Sequence, residues 1–209
     1  MTTDTSAPTT RGERTRKLIL SHAVGCIFEK GLAATAIEHV IERSGLSRGA
    51  ILHHFSNRTA LVAATAEFAM QRVLEKTERL ASKYKSGYQR LVQNADTVWK
   101  VQNTSDGIVL AEILQAARWD KELSDAMQPI ARRMELRVEQ RYLQLAEAAG
   151  AENPALMVPR GWLLLGSVRG LIPQLQLNSN RKMILAAVEE MKWAHQVFCE
   201  AYIPPGRRT

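Results

Sequence analysis

Cysteine is scarce in this chain of 209 residues, which contains Cys26 and Cys199 and no other cysteine. The two lie at opposite ends of the sequence, each inside an apolar helical pattern. Such distant thiols do not form the framework of cross-links that stabilises small secreted proteins. We therefore predict two buried free thiols and a reducing compartment.

Long apolar runs are also missing. No such run reaches the roughly 18 residues that a membrane helix needs. The polar start, MTTDTSAPTTRGERTRK, lacks the apolar stretch of a secretion signal. These features predict a cytoplasmic protein without a membrane partner.

Patterns typical of strands and of catalysis are missing as well. No segment alternates between apolar and polar residues, so we predict an all-α fold. There is no glycine-rich phosphate loop, nucleophile elbow or HExxH motif, and the chain is not expected to be an enzyme. His53 and His54 project about 100° apart on a helix and have no cysteine or acid at ligand spacing. No metal and no cofactor are expected, and His22, His39 and His195 are interpreted as ordinary helix residues.

The composition is compatible with a basic globular protein. Apolar residues make up 45% of the chain, which is enough for a real core. Lys and Arg number 28 against 21 Asp and Glu, a net charge of +7. This charge suits a polyanionic partner, although many proteins without a nucleic-acid role are similarly basic.

The first half of the chain is organised as short capped helices. Residues 1–10 are predicted to be a disordered arm, followed by a helix from Arg11 to Gly31 whose first turns are rich in Arg and Lys. A second helix is predicted to start at Thr35, which forms a capping box with Glu38. Gly45 then turns the chain into a short helix of about residues 47–54.

A long helix capped by Asn57 is predicted to reach about Ser82 and to join two domains. The proposed boundaries are residues 11–57 for a three-helix domain, 58–82 for the connecting helix and 83–209 for a C-terminal helical domain. The periodicity of the last domain predicts helices over residues 87–103, 106–119, 122–149, 155–177 and 180–202.

The last two helices are broadly apolar, which suggests a helical bundle completed by a second subunit. The candidate interface residues come from both helices. Two small residues that allow close backbone approach, Gly166 and Gly170, lie in the first of them. An apolar stripe lies on the final helix: Ile184, Val188, Met191, His195 and Phe198.

Residues 16–61 resemble the tetracycline-repressor (TetR) family of bacterial regulators. The matching positions are Ile19-Leu20, Ala23, Phe28, Gly31, Thr35, the run Gly45-Leu46-Ser47-Arg48-Gly49-Ala50-Ile51, His53-His54-Phe55, Arg58 and Leu61. Weaker support comes from Ala116-Ala117-Arg118-Trp119-Asp120-Lys121-Glu122-Leu123. The resemblance implies a homodimeric repressor with an N-terminal helix-turn-helix domain, which binds a palindromic DNA operator and is released by a small molecule.

Two positions depart from the family pattern. Leu52 stands where the family usually has a tyrosine that contacts the DNA backbone, so one phosphate contact is lost. Ile41 stands where the family has a small alanine, which changes only the packing. The loss at Leu52 leaves a second interpretation open, a helical ligand-binding or scaffold protein with degraded DNA recognition.

The candidate DNA-binding residues surround the third helix. Arg48 is the best candidate for base recognition, since its planar guanidinium can bind guanine N7 and O6. His53 extends the contact by one turn, and basic residues 11–17 could reach the backbone or minor groove. The resemblance adds phosphate contacts, and the full set is Thr35, Ser47, Arg48, Gly49, Ala50, His53, His54 and Arg58.

The effector site has a weaker signature. Aromatic and Met side chains with a few polar groups could line an apolar cavity, although each could equally belong to the core. The candidates are Trp99, Gln102, Glu112, Gln115, Trp119, Met127, Met134, Trp162 and Arg169. The three tryptophans favour a flat or lipophilic effector, and Glu112 and Arg169 would need a partner if they were buried.

Overall fold

The computed structural model describes residues 10–208, and within that range the chain is helical with no strand, which confirms the predicted fold class. Short 3₁₀ turns cover Pro154–Leu156 and Pro205–Arg207. The α-helices are α1 (Arg11–Lys30), α2 (Ile37–Ser44), α3 (Arg48–His54), α4 (Arg58–Ala81), α5 (Gly87–Val92), α6 (Asn94–Gln102), α7 (Ser105–Ala116), α8 (Lys121–Ala148), α9 (Met157–Leu177) and α10 (Lys182–Tyr202). Residues 1–9 of the predicted arm lie outside the described range.

Local capping explains where the first helices begin and end. Thr10 and Glu13 form a reciprocal capping box at the start of α1, which the sequence pattern T-x-x-E could have indicated. Gly45 ends α2 with φ +67°, as expected for a left-handed turn residue. Ser47 caps α3 and Asn57 caps α4 through side-chain oxygens that accept from Ala50 and Ala60 amides.

The predicted capping box at Thr35 is wrong. Helix α2 begins at Ile37, and the amide of Ala36 donates to Nδ1 of His39. The Thr35 hydroxyl instead donates to the carbonyl of Gly31, 2.7 Å away, at the end of α1. A threonine hydroxyl can satisfy either helix end, and here the tight loop of residues 31–36 favours the preceding one.

Two apolar clusters meet along α4. One packs α1, α2 and α3 around Ile19, Leu20 and Ile51. The other brings Ile27 of α1 together with Ala66 of α4 and Ile113 of α7. Helix α4 therefore contributes to the core of the three-helix unit and to that of the C-terminal helices.

The segment predicted as one helix over residues 87–103 is two helices. The helix is interrupted at Gln93. Helix α5, before the interruption, packs on α8, whereas α6, after it, packs on α4 and α9. No glycine or proline marks the break, so the periodicity did not reveal it. The buried Asn94 side chain donates to the hydroxyl of Tyr142, 2.9 Å away, and anchors the start of α6 on α8.

Both cysteines are buried free thiols, as predicted. Burial raises the pKa of the Cys199 thiol to about 12 and also raises that of Cys26. Neither thiol is therefore poised to react at neutral pH.

One helical stretch, Pro154–Leu177, is long and apolar enough to cross a membrane on length and composition alone, contrary to the expectation that no stretch would be. This is weak evidence for a membrane span, since core helices of soluble proteins pass the same test. The stretch packs against α6, α8 and α10, and carries Arg160 and Arg169.

Candidate nucleic-acid interface and effector cavity

The N-terminal half of α3 presents a thin, polar, exposed surface. Ser47, Arg48 and Gly49 are exposed, whereas Ile51 is completely buried and fastens the helix to its domain. A side chain at Gly49 would meet no atom within 4 Å, so the surface there is open. Such a surface can approach the edges of base pairs closely.

Arg48 forms an ion pair with Glu38 of α2. Its Nη1 donates to Oε1 of Glu38 at 2.5 Å, and both side chains are mostly exposed. The pKa of the Glu38 carboxyl is lowered by a hydrogen bond from its own backbone amide and by Arg48. Sequence reasoning missed this pair because α2 and α3 meet at an angle that only the folded turn defines.

The C-terminal end of α3 carries the two adjacent histidines. His53 is exposed and His54 partly buried, and their rings meet edge to face with centroids 5.3 Å apart. The Arg16 guanidinium lies 5.3 Å from the centroid of the Phe55 ring, which ties α1 to the end of α3. The basic residues at the start of α1 are exposed: Arg11, Arg14, Arg16 and Lys17.

Thr35 and Arg58 do not face outward with the other predicted DNA contacts. Thr35 is 6% exposed, and Arg58 donates from Nε to the Thr35 carbonyl at 3.0 Å and from Nη2 to the Leu32 carbonyl at 2.5 Å. Their predicted phosphate contacts stay a prediction, and in this structure both residues bond to the protein backbone. Their hydrogen-bonding groups satisfy the backbone of the loop of residues 31–36, hereafter the α1–α2 loop.

The α1–α2 loop is also held from the C-terminal helices. The amide of Leu32 donates to Oε1 of Glu112 in α7, 2.6 Å away. The loop is therefore fixed by Arg58 on one side and by Glu112 on the other. The sequence had suggested Glu112 for the effector site. Its contact with the DNA-binding unit could not be predicted, because Glu112 and Leu32 are 80 residues apart in the chain.

A cavity of about 220 Å³ lies between α6, α7 and α9. Four of the predicted effector residues line it: Gln102, Glu112, Gln115 and Arg169. A smaller cavity of about 60 Å³ is lined by Gln102 and Arg169 as well and by Met134. The polar candidates and one Met are thus brought together around these two spaces.

The remaining effector candidates lie elsewhere, so the expectation of a tryptophan-lined site is wrong. Trp119 is 81% exposed, and Met127 is buried in the core between α4, α7 and α8. Trp99 and Trp162 pack against the apolar cluster of α6 and α9 and line neither cavity. Helical periodicity shows that a residue is apolar-facing but not whether that face borders a cavity.

The predicted interface stripe on α10 also needs correction. Val188 and His195 are buried within the protomer, and Ile184, Met191 and Phe198 are partly buried on the same side. The opposite face of α10 is exposed, with Met183, Trp193 and Val197. Helix α10 is apolar on both sides, so the pattern alone could not assign the side that packs inward.

Gly166 and Gly170 of α9 are exposed, and a side chain at either would meet no atom within 4 Å. They share a face with Leu163 and Leu177, which are 60% and 82% exposed. We refer to this face of α9 together with Met183, Trp193 and Val197 of α10 as the α9–α10 face.

An acid that sequence reasoning did not single out links α4 to α7. Asp106 is fully buried, and its Oδ2 accepts from Lys76 at 2.6 Å and from Arg72 at 3.2 Å. In the part of the chain from residue 10 to 208, no group of three or more His, Cys, Asp or Glu side chains is placed to hold a metal ion.

The short exposed helix after a glycine turn, carried on a long helix that enters a helical bundle, defines a helix-turn-helix transcriptional regulator. Residues 19–65 match the family described as bacterial regulatory proteins, tetR family. The chain is 28% identical over 162 residues to the HTH-type transcriptional regulator CymR of Pseudomonas putida, covering 77% of this chain and 79% of that protein.

A second relative is an uncharacterized HTH-type transcriptional regulator of Mycobacterium tuberculosis, 27% identical over 183 residues, which cover 85% of this chain and 94% of that protein. A crystal structure of a TetR-family regulator from Cytophaga hutchinsonii has a similar fold, with a TM-score of 0.69 at 17% identity over 90% of this chain and 96% of that one. Residues 19–65 are therefore a DNA-binding helix-turn-helix domain of the TetR family, and over most of its length the chain is similar to TetR-family transcriptional regulators.

Proposed function

We propose that this regulator is a homodimeric, cytoplasmic repressor without catalytic activity that binds a palindromic operator and leaves it when a small effector occupies the C-terminal cavity. The observation that carries the proposal is the exposed start of α3, where Ser47, Arg48 and Gly49 project from a helix anchored by the buried Ile51. Arg48 reads a base, and His53 and His54 contact the next bases or the backbone.

Dimerisation supplies the spacing that the operator requires. The α9–α10 face is apolar and exposed in the protomer, as expected for a surface that a second copy covers. Two copies related by a twofold axis would place their α3 helices about 34–36 Å apart, one turn of DNA.

The effector acts through the helices around its cavity. Helix α7 carries both Glu112 and cavity residues, and it packs on α4, which leads directly from α3. A ligand releases DNA only to the extent that it binds the misaligned state more tightly than the DNA-bound one. We propose that movement of α7 shifts the α1–α2 loop and α4 together and changes the distance between the recognition helices.

A second candidate function follows from Leu52. This residue is 37% exposed on α3 and has no hydroxyl to offer a phosphate. A helical ligand-binding or scaffold protein with degraded DNA recognition would have this feature. Such a protein would show no preference among duplex sequences.

Binding-site selection from a random duplex library, followed by fluorescence anisotropy on the selected duplex, tests the proposal. We expect a palindromic site whose affinity falls steeply between about 50 and 200 mM salt, because phosphate contacts release counterions. Arg48→Ala should weaken specific binding roughly 5- to 150-fold, while Arg181→Ala, an exposed arginine far from α3, should not. Failure to select any sequence, or an affinity that ignores salt, would favour the second function.

A further inference from the structure

Arg169 reaches the effector cavity from α9 without a counter-ion. Among residues 10–208 no acidic side chain pairs with it, and its Nε is buried without a hydrogen-bond partner. Burial lowers the pKa of this guanidinium, which reflects the cost of keeping a charge away from water. A buried cation of this kind is stabilised when an anion joins it.

The acid in the same cavity does not fill that role. Glu112 lines the cavity with Arg169, but its Oε1 accepts from the amide of Leu32, 2.6 Å away. The guanidinium of Arg141, which lines the smaller adjoining cavity, has a buried Nη2 without a partner, while its Nη1 pairs with Glu78 at 3.1 Å. The polar groups left without partners around these two spaces are thus mainly cationic donors.

Gln102 adds a neutral polar group beside Arg169. It is 6% exposed, lines both cavities, and its Oε1 is buried without a partner. Its Nε2 can donate to a carboxylate that lies against the guanidinium, whereas Oε1 is an acceptor and can bond only to a donor. The buried Gln102 and the partly buried Arg169 thus place two polar side chains in the same unfilled space.

The rest of the lining is apolar and limits the size of the ligand. Ile108, Ala111, Ile172 and Pro173 form that part of the 220 Å³ cavity. A cavity of about 150 Å³ is enough to hold benzene. The space therefore suits an apolar body of about one ring or a medium-length chain.

We propose that the effector is a small organic monocarboxylate, whose carboxylate binds the Arg169 guanidinium beside Gln102 and whose apolar body lies on Ile108, Ala111 and Ile172. The planar guanidinium matches a carboxylate with two parallel hydrogen bonds. This inference names the ligand class of the proposed function and rests on it for the regulatory consequence, although the binding itself does not depend on DNA. It narrows the expectation of a flat or lipophilic ligand by adding a carboxylate, because the unpartnered group in the cavity is a charge.

Isothermal titration of the full-length protein with benzoate, phenylacetate, hexanoate and octanoate, each beside its primary amide, tests the proposal. We expect at least one acid to bind tenfold or more tightly than its amide, since the neutral amide cannot form an ion pair with the guanidinium or accept two parallel hydrogen bonds from it. Equal binding of acids and amides, or binding of neither series, would overturn the proposal.

Variants of one helix provide the matched comparison. Arg169→Met keeps much of the side-chain volume and should lower the affinity for the acid at least tenfold, while Arg169→Lys should restore part of it. Arg160→Met is the control, because Arg160 is also on α9 with a buried Nε lacking a partner but lines neither cavity. Circular dichroism establishes that each variant is folded, and unchanged acid binding by a folded Arg169→Met protein would contradict the proposal.

Anisotropy on the selected duplex separates this inference from the proposed function. Release of DNA by the binding acid supports both. Acid binding to a protein that selects no duplex would preserve the ligand class and reject the DNA-binding repressor. Selective DNA binding that persists while neither chemical series binds would reject the ligand class alone.

Discussion

At the scale of single residues, the carboxylate of Glu38 would compete with DNA for Arg48. The exposed carboxylate of Glu38 holds the guanidinium at 2.5 Å. If Arg48 binds a base or a phosphate as proposed, that group must replace Glu38 as the acceptor, and exposed ion pairs of this kind are weak. The carboxylate also adds negative charge beside a polyanion.

Glu38→Gln should therefore tighten DNA binding by roughly two- to fivefold at low salt, with less effect at high salt. Anisotropy titrations with the selected duplex measure this change. Glu42→Gln is the control, since Glu42 is exposed on the same helix and forms no ion pair with Arg48. Equal effects of both substitutions would mean that net charge, and not release of Arg48, is responsible.

His195 is a second residue whose environment gives a measurable consequence. Its ring is completely buried, and Nε2 lies 2.9 Å from the Leu91 carbonyl, so Nε2 carries the proton and Nδ1 is left without a partner. Burial is the largest effect and lowers the pKa of the His195 ring, and the nearby charge of Arg160 lowers it further. The hydrogen bond to Leu91 acts in the opposite direction. The thiol of Cys199 is its neighbour at 3.6 Å.

Because the folded state holds His195 neutral, the unfolded state binds an extra proton as the pH falls through the unfolded value of about 6.5. The stability from this residue is complete above that pH and decreases below it, by up to about 1.4 kcal/mol per pH unit for one proton. Urea unfolding of His195→Gln should show a weaker decrease from pH 7 to 5 than the parent protein. The control His53→Gln, at an exposed histidine, should show the same decrease as the parent protein. If His195→Gln and the parent lose stability equally from pH 7 to 5, His195 is not the source of the decrease.

At the scale of elements, the turn between α2 and α3 depends on the backbone of Gly45. Its φ of +67° places it in the left-handed region, yet a side chain there would meet no atom within 4 Å. The requirement for glycine is thus conformational and not steric.

Gly45→Ala should lower the free energy of unfolding by about 1–2 kcal/mol. Gly49→Ala is a matched control, since Gly49 has open space and lies in the helix, where alanine gains up to about 1 kcal/mol over glycine. Urea denaturation followed by circular dichroism compares the two. A Gly45→Ala protein as stable as its parent would show that the turn relaxes without cost.

The helices themselves were more predictable than their contacts. Capping by Asn57 and the turn at Gly45 follow from local chemistry and were predicted correctly from the sequence. The break at Gln93 and the inward side of α10 were not, because packing against α8 and α9 decides them. Local sequence patterns therefore predicted where helices lie in the chain, but not which side of each helix packs inward.

At the scale of the whole molecule, Glu112 joins the cavity to the DNA-binding unit. The carboxylate lines the cavity and accepts from the Leu32 amide in the α1–α2 loop. A hydrogen bond to a charged acceptor is among the stronger ones. This link provides a direct route by which an occupied cavity could alter the loop.

Removing this link by Glu112→Ala should reduce protection of the Leu32 amide from hydrogen exchange roughly tenfold or more. Hydrogen exchange read by NMR or by mass spectrometry of the peptide over the α1–α2 loop measures this. Gln115→Ala is the control, since Gln115 lines the same cavity without contacting the loop. Unchanged protection in the Glu112 variant would show that Arg58 holds the loop alone.

The oligomeric state is the second prediction at this scale. If the α9–α10 face forms the dimer interface, Trp193→Glu buries an unpaired carboxylate and should weaken the dimer roughly a hundredfold or more. Sedimentation equilibrium measures the dissociation constant. Trp119→Glu makes the same substitution at an 81% exposed tryptophan away from this face and should leave the dimer intact. Loss of the dimer in both variants, or in neither, would reject this interface.

The sequence by itself determined the all-α fold, the helix-turn-helix with its Gly45 turn, the Asn57 cap and the resemblance to the family, because these depend on periodicity and on contacts between residues close in the chain. The tertiary structure alone decided that Arg58 and Thr35 turn inward, that Glu112 reaches Leu32 across 80 residues, and that Arg169 and not the tryptophans borders the cavity. Those features depend on how helices distant in sequence pack, and no local pattern encodes which side of a helix faces a neighbour, a cavity or solvent.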